Sequence, residues 1–205
     1  MAAGRLSVNG SLGNSAVAVL AAAELGGSGS IAGPVSIAAG GMLAPGNSIA
    51  ALAAGATSFA SGATFAYEVD SSAALAAAAD LLVVSGNLDI AAGSLLALTD
   101  IAGTTAPFVE NTTVFAMMNY SGSWSGGLFT SNGTPLADGS RFTVGSQQWE
   151  IDYNRTSAAG LANFTGDYLP NSSFVAITAV PEPSTLVLTA LGVGLAAWAA
   201  RRPRW

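Results

Sequence analysis

The chain of 205 residues contains no cysteine, no histidine and no lysine, and only 9% of it is charged. Each absence removes a class of chemistry. Without cysteine there is no disulfide framework and no thiolate-ligated zinc. Without histidine the chain lacks the commonest general base and the commonest metal ligand. Arg5, Arg141 and Arg155 are the only cations before residue 180, and they face eleven carboxylates, so residues 1–180 carry a formal charge of −8 within a total of −6. A body this acidic does not bind nucleic acid by neutralising phosphates. Low charge combined with 25 glycines could signal disorder, but a hydrophobic fraction of 51% supplies burial capacity that disordered chains lack. A shallow core of small residues, built repeatedly, fits this composition.

Residues 5–101 alternate short β-prone runs with turn signals. The runs are Leu6–Val8, Val17–Leu20, Val35–Ile37, Thr64–Val69, Leu81–Val84 and Leu95–Ile101. Between them stand Asn9-Gly10, Gly26-Gly27, Gly40-Gly41, Pro45-Gly46-Asn47, Gly62 and Gly86-Asn87. Runs of three to seven residues between such breaks read as strands. Their spacing is quasi-periodic, with a coil of about 20 residues, which is the mark of a solenoid whose turns bury their inner faces by stacking. Pro45-Gly46 suits the centre of a type II turn. Asn47 and Asn87 are expected to stack as an amide ladder. In Thr64–Asp70 the alternation turns Phe65, Tyr67 and Val69 inward and Glu68 and Asp70 outward. The Ala73–Ala79 run has high helix propensity and predicts a turn or two of helix.

The segment "GPVSIAAGGMLAPGNSIAAL" (residues 33–52) resembles the autotransporter-associated β-strand repeat, through Gly33, Val35, Ile37, Gly40, Gly41 and Leu43–Ile49. The resemblance is strong over about residues 26–52 and looser across 1–101. It implies a right-handed parallel β-helix in a secreted protein.

Residues 102–179 change character. Aromatic residues gather here, among them Phe108, Phe115, Tyr120, Trp124, Phe129, Phe142, Trp149, Tyr153, Phe164, Tyr168 and Phe174. Phe142–Val144, a Gly145-Ser146-Gln147 turn, and Gln148–Tyr153 read as a hairpin with Trp149, Ile151 and Tyr153 on one face. A solenoid end is an open sheet edge, and bulky aromatics suit a cap that covers it.

The last segment, 180–205, has a fixed order. Val180-Pro181-Glu182-Pro183-Ser184 is a stiff spacer, because each proline fixes its φ and biases the residue before it toward extended geometry. Ser184 to Ala200 is then 17 residues without charge. As a helix this run, at about 184–200, reaches roughly 25 Å, at the short end for a membrane span. Arg201, Arg202 and Arg204 form a basic stop that marks the cytoplasmic side, placing residues 1–180 across the membrane. "VPEPST", the apolar run and "ARRPR" resemble the PEP-CTERM sorting domain of Gram-negative bacteria. The resemblance implies export across the inner membrane, transient anchoring by the tail, recognition and cleavage near Pro181-Glu182-Pro183 by an exosortase, and delivery to the cell surface or into extracellular polysaccharide. Met1-Ala2-Ala3-Gly4 leads straight into repeat-like sequence without the basic and apolar regions of a secretory signal, so the expectation is a C-terminal fragment of a longer exported protein.

Candidate sites in the body are few. Glu68 with Asp70, and Glu150 with Asp152, have the spacing of a carboxylate pair, which could serve glycoside hydrolysis or calcium. Solvated outward strand positions explain them equally, with no third group implied. Asp138-Gly139-Ser140 reads as a turn rather than a calcium loop. Exposed Trp124 or Tyr120 could stack on sugars, against a packing role in the cap. Gly192–Ala197 half-matches a dinucleotide fingerprint, but inside the apolar tail and without a preceding strand. Asn-x-Ser/Thr sites such as Asn111, Asn132 and Asn154 reflect composition. The reading is therefore an all-β chain: a right-handed parallel β-solenoid over 1–101, an aromatic β cap over 102–179, and a sorting signal with one transmembrane helix over 180–205. The expected role is a non-enzymatic, exported structural or adhesion-type protein, with no cofactor and no metal. Its expected partners are an exosortase, the membrane and exopolysaccharide. The alternative is a polysaccharide-acting enzyme on a β-helix. An outer-membrane autotransporter would need a C-terminal barrel where this chain has a helix-like tail.

Overall fold

The computed structural model describes residues 3–102, 108 and 112–181, and among them nearly all regular structure is β. Successive coils each contribute one strand to each of three walls. The first coil is β1 (Gly4–Ser7), β2 (Ser11–Leu12) and β3 (Val17–Val19). The second is β4 (Ala23–Gly27), β5 (Ser30–Ile31) and β6 (Val35–Ile37), and the third is β7 (Met42–Pro45), β8 (Ala51–Ala54) and β9 (Thr57–Phe59). The fourth is β10 (Thr64–Val69), β11 (Leu81–Val84) and β12 (Leu88–Ile90). The fifth supplies β13 (Ser94–Asp100) and β14 (Val114–Tyr120), after which β15 (Phe129–Ser131) begins a last, incomplete turn. All ladders among these strands are parallel, in the orders β1-β4-β7-β10-β13-β15, β2-β5-β8-β11-β14 and β3-β6-β9-β12. This is the parallel β-solenoid architecture, and its stacking continues past residue 101 into β14 and β15.

The period-two alternation fixes the register, because inward residues must stack on inward residues. Leu25, Leu43, Phe65 and Leu96 form one interior column, and Val19, Ile37, Phe59 and Ile90 another. All eight are buried, and Phe65, Tyr67 and Val69 face in as the alternation requires. Glycine serves where strands turn tightly or backbones meet. Gly46 has φ +84 at the corner after Pro45, and a Cβ on Gly33 would run into the carbonyl oxygen of Ser15 on the coil below. That corner ties three coils together. The guanidinium of Arg5 donates to Gly46 O at 2.7 Å and pairs with Glu24 at 3.3 Å, while Asn47 Nδ2 donates to Asn9 Oδ1 at 2.9 Å.

Two local expectations are corrected. The amide of Asn47 stacks on Asn9 and not on Asn87, whose Oδ1 instead accepts from the Ser123 amide and hydroxyl. The two asparagines stand at different corners of the coil, so the axis never brings them into line. Ala73–Ala79 forms only a single 3-10 turn at Leu75–Ala77. The segment is pinned at both ends, with Asp70 N donating to Ala78 O and Asp80 N to Glu68 O, which leaves too little free chain for α-helical turns.

Past β15 the chain switches to antiparallel pairing. β16 (Thr134–Pro135) folds back on β15, and β17 (Arg141–Val144) and β18 (Gln147–Arg155) form the expected hairpin. Its loop is two residues, Gly145-Ser146, since Gln147 already pairs with Val144. The final strand, β19 (Ser173–Val180), inserts between β18 and β14, antiparallel to both. Trp149, Ile151 and Tyr153 are buried, and aromatic contacts run from the solenoid interior into the cap. Phe59 and Phe65 meet Phe129 at 5.7 and 5.9 Å, and Tyr153 stacks on Phe129 at 6.4 Å.

A strap of residues 156–172 crosses the outer face of the β8-β11-β14-β19 wall. Leu161, Phe164, Tyr168 and Leu169 pack there on Leu81, Val83, Ala116, Phe174 and Ala176. This explains why all four residues of β11 are buried, where one-sided burial would expose alternate residues.

Candidate sorting site

The sorting sequence starts inside the fold. Val180 is the last residue of β19 and is 3% exposed, and Pro181 beyond it is half-buried. Ala179 pairs with Trp149 and Val180 with Gln148 on the β18 side. On the other side Thr178 pairs with Val114, and Ala179 N donates to Thr113 O at 2.9 Å. The side-chain amide of Gln147 also donates to Val180 O at 3.3 Å. Valine, alanine and isoleucine along Phe174–Val180 suit a strand buried on both faces, which explains why the chain is held up to the proline and no further. Glu182, Pro183, Ser184, Arg201, Arg202 and Arg204, with the expected membrane helix at about 184–200, lie outside the described residues. Among the described residues no helix is long and apolar enough to cross a membrane.

The body's candidate carboxylates have structural partners. Asp70 accepts from the Ser72 amide at 2.9 Å and the Ser72 hydroxyl at 2.6 Å, and these bonds hold its pKa below the ordinary value. Glu68 is half-buried, and its amide donates to Asp80. Glu150 pairs with Arg141 at 3.1 Å, and Asp152 closes a turn onto the Asn154 amide at 3.1 Å. Asp138 accepts from the Tyr153 amide at 2.9 Å. No cluster of three or more acidic residues positioned for a metal ion occurs among the described residues.

The sugar-stacking candidates are also engaged. Tyr120 is buried, with its hydroxyl donating to Tyr153 O at 2.9 Å, so the expectation of an exposed ring is corrected: the inward alternation of β14 carries it into the core. Trp124 is half-buried, stacks on Tyr153 at 5.1 Å and 7°, and donates its indole N–H to Gly127 O at 2.9 Å.

One polar cluster was missed by sequence reasoning. Asp80 has no exposed surface, and its carboxyl accepts from Ala50 N at 2.9 Å and Glu68 N at 3.1 Å. Burial pushes its pKa up to about 7, the two N–H donors pull it back, and nearby Glu68 adds to the rise. Beside it, Asn163 fills the gap left by a bulge in β14. Its Oδ1 accepts from Ala116 N at 2.8 Å, and its Nδ2 donates to Ala116 O at 3.0 Å and Asp80 O at 2.8 Å. A bulge leaves backbone groups unpaired, and a primary amide reproduces the donor and acceptor of a missing strand. The Tyr67 hydroxyl also donates to Ala116 O, at 3.2 Å, and burial raises its pKa. The only sequence hint was an aspartate placed directly before a fully apolar strand.

Comparison with known families matches residues 179–204 to the PEP-CTERM protein-sorting motif. No curated protein matches the chain. The matched segment covers the tail and its root in β19, not the solenoid body, so the repeat resemblance rests on the residues that carry it. The motif points to exosortase-dependent sorting of an extracellular protein, and so to export toward the cell surface.

Proposed function

We propose that this chain is a non-enzymatic structural or adhesion-type element of the cell surface or extracellular matrix, sorted and cleaved by an exosortase through Val180–Ser184. The observation that carries the reading is the direct junction between a capped parallel β-solenoid and a sorting motif at residues 179–204. In this reading the apolar run of about 184–200 is a transmembrane helix that holds the exported chain at the inner membrane, with Arg201, Arg202 and Arg204 on the cytoplasmic side. The solenoid coils with the right-handed sense of the repeat it resembles. Its contribution outside the cell is geometric, an acidic stacked surface that lies against exopolysaccharide.

The test is removal of Pro181–Trp205 from a chain expressed with a working secretion signal. The truncated protein is expected to leave the surface fraction for free secretion or the periplasm. Unchanged localisation would defeat the reading.

A further inference from the structure

We propose that the sorting motif is gated by its own strand: the processing enzyme acts only on a state in which the end of β19 has left the sheet. The proposal rests on the sorting reading above and adds a control to it. The matched segment begins at residue 179, inside β19, so the signal and the closing strand of the cap share residues. Both edges of that strand are occupied, by Trp149 and Gln148 on one side and by Val114 and Thr113 on the other. An enzyme that reads an extended segment needs a free edge and room for alternate side chains. Ala179 and Val180 offer neither, being hydrogen-bonded and 0% and 3% exposed. No spacer follows to compensate. Covalent geometry keeps Glu182 within about 7 Å of the Val180 Cα, so the motif cannot reach a catalytic groove without bringing the cap against it.

The same end of β19 is also the place where the cap is least well satisfied. Among the described residues, Thr113 Oγ1, Gln147 Oε1 and Gln148 Oε1 are buried acceptors without a hydrogen-bond partner, and all three belong to residues flanking Ala179 and Val180. Unpaired buried acceptors are costly, so opening here recovers hydration that the closed state forgoes. Farther back, Phe174–Ile177 lie between two apolar layers and hold the rest of the strand. The structure therefore favours release of the last residues over loss of the whole cap. Processing and cap closure compete for one short piece of backbone.

The experiment compares the full-length chain with a variant carrying about eight Gly/Ser residues between Val180 and Pro181, a linker of roughly 16 Å reach. Every cap residue is retained, so the variant keeps its folding contacts. Both are expressed with a secretion signal in a host that carries the processing enzyme, and maturation is followed by pulse–chase. If cleavage draws on the open population, the insertion speeds maturation by about tenfold or more. Equal rates overturn the gate. Glu182→Ala serves as the control for the underlying reading: if it matures like the parent, or if neither chain is ever shortened, the processing reading falls and the gate falls with it. Hydrogen exchange on the folded full-length chain gives a readout independent of the enzyme. Slow exchange at Ala179, several-fold or more below a free peptide, supports closure, and exchange at the free-peptide rate overturns it.

Discussion

The coils and the cap solve the same problem, burial of an inner face, with opposite materials. From Gly4 to Asp100 the chain stacks short parallel strands with a core of Leu, Ile and Val, and closes its corners with glycine and asparagine. From Arg141 to Val180 it uses three longer antiparallel strands around Trp149, Tyr153 and Phe174. The coils draw their stability from repetition, each turn resting on the next. The cap has no next turn, and large aromatic area takes the place of the missing neighbour. The composition of a solenoid therefore shifts where its repetition stops, and that shift marks the site of closure.

The sharpest way to separate the two regions is Trp149→Ala. The ring is 2% exposed and touches Phe108 at 5.5 Å and Phe115 at 6.2 Å. Its loss should cost about 3–5 kcal/mol in denaturant unfolding, with the cap opening before the coils. A single undivided transition would show that the two regions melt as one unit.

Asp80 stands where the fourth coil meets the strap, and it makes the comparison pH-dependent. Its folded pKa of about 7 lies above the ordinary carboxylate value. The folded state therefore holds the proton more tightly, and its contribution is fully present below pH ~4 and lost as pH rises toward ~7, a change on the order of a few kcal/mol. Urea midpoints measured across that range should fall with pH in the parent and flatten in Asp80→Asn.

Gly33→Ala probes the coils in turn. The new methyl group meets backbone at Ser15, which cannot rotate away, so a loss of about 1–3 kcal/mol is expected in thermal or urea melts. A neutral result would mean that the coils slide where they are described as locked. The smallest contrast is between arginines. Arg141→Ala removes an exposed pair within one hairpin and should cost under about 1 kcal/mol. Arg5→Ala removes a bond across three coils and should cost slightly more, about 1 kcal/mol, in the same assay.

Much of the body was legible because alternation and turn residues are local signals. Thr64–Val69 and Leu81–Val84 form strands with the bounds read from sequence, and Trp149, Ile151 and Tyr153 share a buried face. What escaped depends on contacts between distant segments. The pairing of Asn47 with Asn9, the insertion of β19 between β14 and β18, and the repair of a bulge by Asn163 are set by topology that no window of sequence contains. The candidate site divides in the same way. Val180–Ser184 was legible from proline spacing and the apolar run behind it. That Val180 lies inside a strand bonded on both edges was not, because β-propensity is silent about neighbours.

The strap of residues 156–172 gives the solenoid a front and a back. By covering the wall that contains β8, β11 and β14, it withdraws one side of the prism from solvent and leaves the other two walls facing outward. Ser36 and Asp89 on one of those walls, and Leu95 and Thr99 on the other, are exposed. Anything that lies along this molecule meets a directional object, with two faces to grip and one already taken.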